Sequence, residues 1–209
     1  MKKLPLCLAA AALALAASPS AITAQACAAN HATPGSGFAR AAVSFPEGAI
    51  AYGVSAGGFT NSSLFLSGNY SRTDADNSNL TSNGLGVTIG AELTGLDFSL
   101  CPAFSFGYTW FSNVPFGVDL HEIDLAGGLM IGKSFGENLL FTPHAAAALL
   151  HARLSASLGS ESDTSSDTGG VFGGGFRIGN DRFYGGPAVS ITTFAGSDPV
   201  FSISAGVVF

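Results

Sequence analysis

The chain has 209 residues, 47% of them hydrophobic and 11% charged, with 28 Gly, 17 Phe and a formal net charge of −6. That apolar fraction excludes a disordered chain, and a charged fraction well under the roughly 25% of soluble domains argues against an ordinary soluble enzyme surface. A bundle of membrane helices is excluded too, because only the N-terminus carries an apolar run near the ~20 residues a spanning helix needs. What remains is a Gly-rich chain that hides its hydrophobicity by alternation.

Residues 1–26 read as a cleaved export signal. Lys2 and Lys3 form a positive start, LPLCLAAAALALAA (4–17) an apolar core, and Ala24-Gln25-Ala26 a small-x-small cleavage site. Removing Lys2 and Lys3 leaves 6 basic and 14 acidic residues, a net charge of −8. That balance argues against nucleic-acid binding, which needs a basic patch. Cys7 leaves with the signal, so Cys27 and Cys101 remain. In an oxidising compartment this pair reads as one disulfide. The alternative for Cys27 is lipidation after cleavage, against which Gln25 stands. Residues 27–37 are expected to be a tail.

From there the chain reads as strands. FARAAVSF (38–45) and AIAYGVSAGGF (49–59) are the weaker candidates. Clearer segments follow at 62–71, 83–93, 98–110, 118–133, 139–157, 170–178, 182–194 and 199–209. In 83–93, Leu85, Val87, Ile89, Ala91 and Leu93 share one face, against Gly86, Thr88, Gly90 and Glu92 on the other. In 98–110 the large face holds Phe98, Leu100, Phe104, Phe106, Tyr108 and Trp110. In 118–133 Ile123, Leu125, Leu129 and Ile131 alternate with Asp124, Ala126, Gly128 and Gly132. The last strand sets Phe201, Ile203, Ala205, Val207 and Phe209 on one side. Segment 139–157 breaks parity, since Thr142 and His144 fall with Leu150 and Leu154. A bulge in the run 145–148 would restore it; a short helix there is the competing reading. Pro102, Pro143 and Pro187 fall inside strands, where each removes a ladder hydrogen bond.

Large apolar residues on one face and Gly, Ala, Ser and Thr on the other suit a narrow closed barrel whose outside meets lipid. Closure also pairs every backbone group, as a membrane requires. The fold expected is all-β: an antiparallel up-and-down transmembrane β-barrel of eight or ten strands, the count leaning to ten, over residues 38–209. Short links at 94–97, 134–138 and 179–181 alternate with long polar ones at 71–83 and 157–170 and a medium one at 111–116. That is the expected asymmetry of periplasmic turns and external loops.

Signal, alternation and the terminal Phe209 together resemble the small β-barrel proteins of the Gram-negative outer membrane. The resemblance implies an outer-membrane location, contact with its lipid and lipopolysaccharide, and a last strand read by the barrel assembly machinery. LCPAFSFGY (100–108) also looks like a Cys-Pro strand of some members. Such barrels include structural anchors, adhesins, narrow channels and a few lipid-modifying enzymes, so the family leaves the activity open. A monomer is expected.

Candidate chemistry is sparse. Gly53-Val54-Ser55-Ala56-Gly57 matches a nucleophile-elbow pattern, but a strand rather than a helix follows it, so an ordinary barrel strand is the reading. His31, His121, His144 and His151 lack zinc spacing, and no metal or cofactor is expected. A Ser–His–acid site using Ser55 or His151 is the enzymatic alternative. By alternation Arg40, Glu92, Glu122, Asp124, Arg153 and Arg177 point inward. Burial makes such charges pair, which suggests a salt-bridge network closing the lumen; a charged constriction for ions is the alternative. A Cys27–Cys101 bridge would draw the tail under the barrel mouth. The external acids Asp74, Asp76, Glu161, Asp163 and Asp167 read as solubilising, or as a place for divalent cations to bridge to lipopolysaccharide. The function expected is a non-enzymatic structural or surface-interaction barrel, with a narrow pore as the alternative.

Overall fold

The computed structural model describes residues 35–209 apart from 61–62, 77, 94–96 and 195–196. The signal, most of the tail with Cys27 and His31, and most of the 94–97 turn lie outside the described residues.

Ten antiparallel strands close into one barrel. They are β1 (Gly37–Phe45), β2 (Ala49–Phe59), β3 (Leu64–Ala75), β4 (Thr81–Ala91), β5 (Ser99–Ser112), β6 (Asp119–Gly132), β7 (Leu140–Leu158), β8 (Glu161–Gly179), β9 (Phe183–Thr192) and β10 (Val200–Val208). Each pairs with its neighbour in sequence, and β1 pairs with β10 to close the wall. The two weaker sequence candidates are therefore real strands. The start of β1 and the C-terminal residue lie at one end, where Gly37 N–H donates to the Phe209 carbonyl at 2.7 Å. We call this the near end and the opposite one the far end.

The stagger of the wall follows from the register. Starting at Phe111 and stepping between paired residues (Ser82, Thr73, Ala51, Ser44, Ser202, Ala188, Gly175, His144, Gly132), one circuit returns to β5 at Ser99. The path has moved twelve residues along its own strand, from far end to near end. A shear of this size tilts the strands by roughly 35–45°.

The outer face is apolar. Leu149, Phe201 and Ile203 are 69%, 62% and 60% exposed, and Leu85, Val87, Phe104, Leu129, Phe172 and Ile191 stand out beside them. Such a surface is stable only against lipid, and the barrel is a transmembrane one. Charged side chains at outward strand positions (Arg72, Asp74, Asp119 and Arg153) all lie toward far strand ends. Tyr108 stacks on Trp110 with ring centroids 6.2 Å apart and meets His121 at 5.9 Å. These amphipathic rings suit the level where hydrocarbon gives way to water.

Two expectations change. The polar segments 71–83 and 157–170 are mostly strand, not loop. β7 and β8 continue to a two-residue turn at Gly159 and Ser160, with Gly159 at φ 62, a conformation glycine takes without penalty. Beyond the lipid no apolar alternation is required, so the strand leaves no period-two signal. Second, β7 contains neither bulge nor helix: its register with β6 and β8 is continuous from His144 to Ser157. Leu150 faces inward and is buried. The prolines lie inside strands as expected, on the outer face. At Pro187 the β8–β9 ladder skips Phe176 and Arg177 and resumes in the same register.

Candidate functional site

The inner face is built in sections. At the near end Phe38, Phe59, Phe65, Cys101 and Met130 form one buried apolar cluster drawn from β1, β2, β3, β5 and β6. Toward the far end Ala126, Leu150, Val171 and Phe194 form a second, and Phe111 with Leu120 a third. Large inward side chains sit over inward glycines. A Cβ at Gly206 would meet the Tyr184 ring at 2.5 Å, and one at Gly107 would meet the Asp124 carboxylate at 2.6 Å. The small residues of the inner face are thus sockets for particular neighbours, as close packing requires.

The interior charges are separated by height. Glu122 and Asp124 stand near the far end of β6, buried at 0% and 2% exposure. Arg177 lies two residues from the near end of β8, directly across from Thr142. Its guanidinium carbon is 5.1 Å from the Tyr184 ring centroid, a cation–π contact. Arg40 lies three residues from the near end of β1, and its partner across β10 is Gly206, over which Tyr184 lies. Tyr184 therefore sits between the two arginines. Glu92 is at the near end as well, and its carboxylate accepts a hydrogen bond from Ser99 Oγ at 2.7 Å. His144 is buried, with Nδ1 3.5 Å from the Thr142 carbonyl. Thr142 in turn shares a 2.7 Å hydrogen bond with Ser134.

The residues expected inward thus divide. Arg40, Glu92, Glu122, Asp124 and Arg177 occupy inner-face positions but not one level. Arg153 does not face inward: it is exposed on the outer face of β7, opposite Ser166 and Ile123. His151 shares that outer face, its Nδ1 2.8 Å from Thr168 Oγ1. The cause is the missing bulge. Without it Leu150 takes the inner position and the next charged residue falls outside. Ser55 is on the inner face of β2, paired with Arg40 and Asn69. Ser55 and His151 are on opposite sides of the wall, so they cannot form a nucleophile–base pair.

Among the described residues Cys101 has no disulfide partner, Cys27 lying outside them; it is 1% exposed and directly across from Met130. Two small interior cavities of about 40 and 30 Å³ lie beside His144 and Met130 and beside Arg40 and Ser55. Sequence reasoning missed the inward aromatics Phe38, Phe59 and Phe65 and the Tyr184 bridge. Parity against the outward Leu64 and Leu66 was the available signal for Phe65.

At the far end the β7–β8 hairpin stands clear of the wall: residues 161–168 are exposed without interruption. β8 pairs with β9 only from Val171 onward. Between Glu161 and Gly169 its second edge has no neighbouring strand among the described residues.

No family model matches the sequence, and no curated protein matches it. The fold is similar to solved outer-membrane barrels. The N-terminal β-barrel domain of Pseudomonas aeruginosa OprF is 13% identical over 84% of this chain and 98% of its own, with a TM-score of 0.39. The translocator domain of the autotransporter NalP from Neisseria meningitidis is 11% identical, covers 96% of this chain and 97% of its own, and has a TM-score of 0.48. The attachment invasion locus protein Ail of Yersinia pestis is 13% identical, covers 85% and 100%, and has a TM-score of 0.40.

Proposed function

We propose that the protein is a non-enzymatic barrel of the bacterial outer membrane with a structural and surface-interaction role, exported by its N-terminal signal. In this reading the near end faces the periplasm and the far end the outside. The observation that carries it is the β7–β8 hairpin, whose exposed residues 161–168 extend past the apolar wall. The apolar cluster of Phe38, Phe59, Phe65, Cys101 and Met130 at the near end supports a constricted lumen. Lipid and lipopolysaccharide would contact the outer face, and the last strand (Phe201, Ile203, Ala205, Val207, Phe209) would be what the assembly machinery reads. A Cys27–Cys101 disulfide would tie the tail beneath the mouth.

The second reading is a narrow pore. It is favoured by the vertical separation of charge, with Glu122 and Asp124 toward the outside and Arg40 and Arg177 toward the periplasm. Rings of charge of this kind select ions. Single-channel recording of refolded 27–209 in a planar bilayer, with and without reductant, separates the two. A silent bilayer with verified insertion supports the surface role. Steady conductance steps support the pore, and larger steps on reduction place the tether in the conduction path.

A further inference from the structure

We propose that the open edge of β8, residues 162–168, docks an extended basic segment of a partner protein as an added strand. This rests on the surface-interaction reading and gives the partner its chemistry.

The direction of the edge groups follows from Gly170. Its N–H donates to Thr193 Oγ1 at 2.7 Å, and its carbonyl accepts from Thr193 N–H at 2.9 Å. Both groups therefore point away from β7. In an antiparallel ladder alternate residues point the same way, so Ser162, Thr164, Ser166 and Thr168 present their backbone groups at the open edge. Two of those donors are held by their neighbours. The Asp163 carboxylate accepts from Thr164 N–H at 2.8 Å, and that of Asp167 from Thr168 N–H at 2.7 Å. The sequence shows the same device twice, Ser-Asp-Thr at 162–164 and at 166–168. These exposed local bonds screen the edge against indiscriminate pairing and exchange readily for others.

Charge selects the occupant. Glu161, Asp163 and Asp167 share one face of the hairpin, and the β7 residues paired with them are Leu158, Ala156 and Ala152. Arg153 and His151 stand on the opposite face, so no base on β7 lies across from the three acids. A strand added here lays every second side chain beside those carboxylates, and opposite charges in such cross-strand pairs are favourable. The other side chains meet Ser162, Thr164, Ser166 and Thr168. The fitting segment has Lys or Arg at alternate positions with small hydroxyl residues between, bound by main-chain hydrogen bonds. A second copy of this edge sets acid against acid and is the poorer occupant.

The test uses refolded 27–209 in nanodiscs and a fluorescent peptide of alternating Lys and Thr, read by anisotropy. Saturable, salt-sensitive binding is expected. The double variant Asp163→Asn with Asp167→Asn should weaken it about tenfold or more. Ser166→Pro deletes one open-edge donor while leaving the β7 ladder bonded, and should weaken binding too; N-methylating the peptide's edge-facing amides should do the same. Absence of saturable binding overturns the proposal. So does equal binding of the N-methylated peptide, or unchanged affinity in Ser166→Pro, either of which reduces the contact to bulk charge. Dimerisation of the free protein that Ser166→Pro abolishes assigns the edge to a second copy and overturns it as well. Failure of the surface reading itself appears separately, as conductance steps in the bilayer.

Discussion

Residues 161–169 and 170–179 belong to one strand and share one partner, β7, yet they obey different rules. The near half lies in the wall. There Phe172, Phe176 and Ile178 turn outward to lipid, while Val171 and Arg177 turn inward. Each position is constrained on both sides, and β9 closes the other edge. The far half pairs with β7 just as regularly, but every residue from 161 to 168 is exposed and the second edge is open. Strand geometry needs only the backbone ladder; side-chain selection comes from what each face must touch. The comparison separates what builds the barrel from what the barrel can offer to its surroundings.

The strongest break of the wall should come from its near-end packing. Phe65 is fully buried between Phe59 and the Gly90 backbone, with its ring centroid 5.7 Å from that of Phe59. Phe65→Ala should destabilise the barrel by about 3–5 kcal/mol, measured as a shift in the guanidinium midpoint with unchanged slope. Next comes the lipid face. Val87→Arg places a charge in the outward apolar band and should cost about 2–4 kcal/mol near the midplane. Thr164→Arg, on the hairpin, should stay within about 0.5 kcal/mol. Equal costs at the two positions would mean that wall and hairpin are under the same constraint.

A finer test lies among the glycines. Gly206→Ala forces a methyl against the Tyr184 ring and should cost about 1–3 kcal/mol through overpacking. At Gly53 an added Cβ meets only the Tyr70 carbonyl, at 3.7 Å, so Gly53→Ala should be near neutral. The smallest effect concerns two far-end links. Glu47, before β2, has its carboxyl pKa raised above 4.5 by a side-chain hydrogen bond to Asp198 and by that residue's charge. A raised acid pKa means the contact contributes at low pH and fades as pH rises through the folded-state value. NMR titration should show Glu47 returning to its ordinary value in Asp198→Asn.

The wall was legible because lipid imposes a rule on each strand. Leu85, Val87 and Ile89 against Gly86, Thr88 and Gly90 mark a face without any knowledge of neighbours. Arg153 was misread because the run 145–148 is all alanine, which carries no preference for either face, so parity could not be followed through it. The continuous pairing of β7 with β6 and β8 carries parity across that run and sends Arg153 outward. The hairpin was misread for a related reason: Ser, Thr and Asp in water have no apolar partner to alternate against.

By itself the sequence determined an antiparallel, lipid-facing barrel, since period-two alternation depends only on local geometry and on the solvent outside. Closure decided the rest. The twelve-residue stagger sets which inward residues share a level, with Glu122 and Asp124 toward the far strand ends and Arg40 and Arg177 toward the near ones. Pairing between β8 and β9 likewise begins only at Val171, which leaves the edge of β8 open beyond it. Those are relations between strands distant in sequence, fixed by register around the whole ring, and no single segment encodes them.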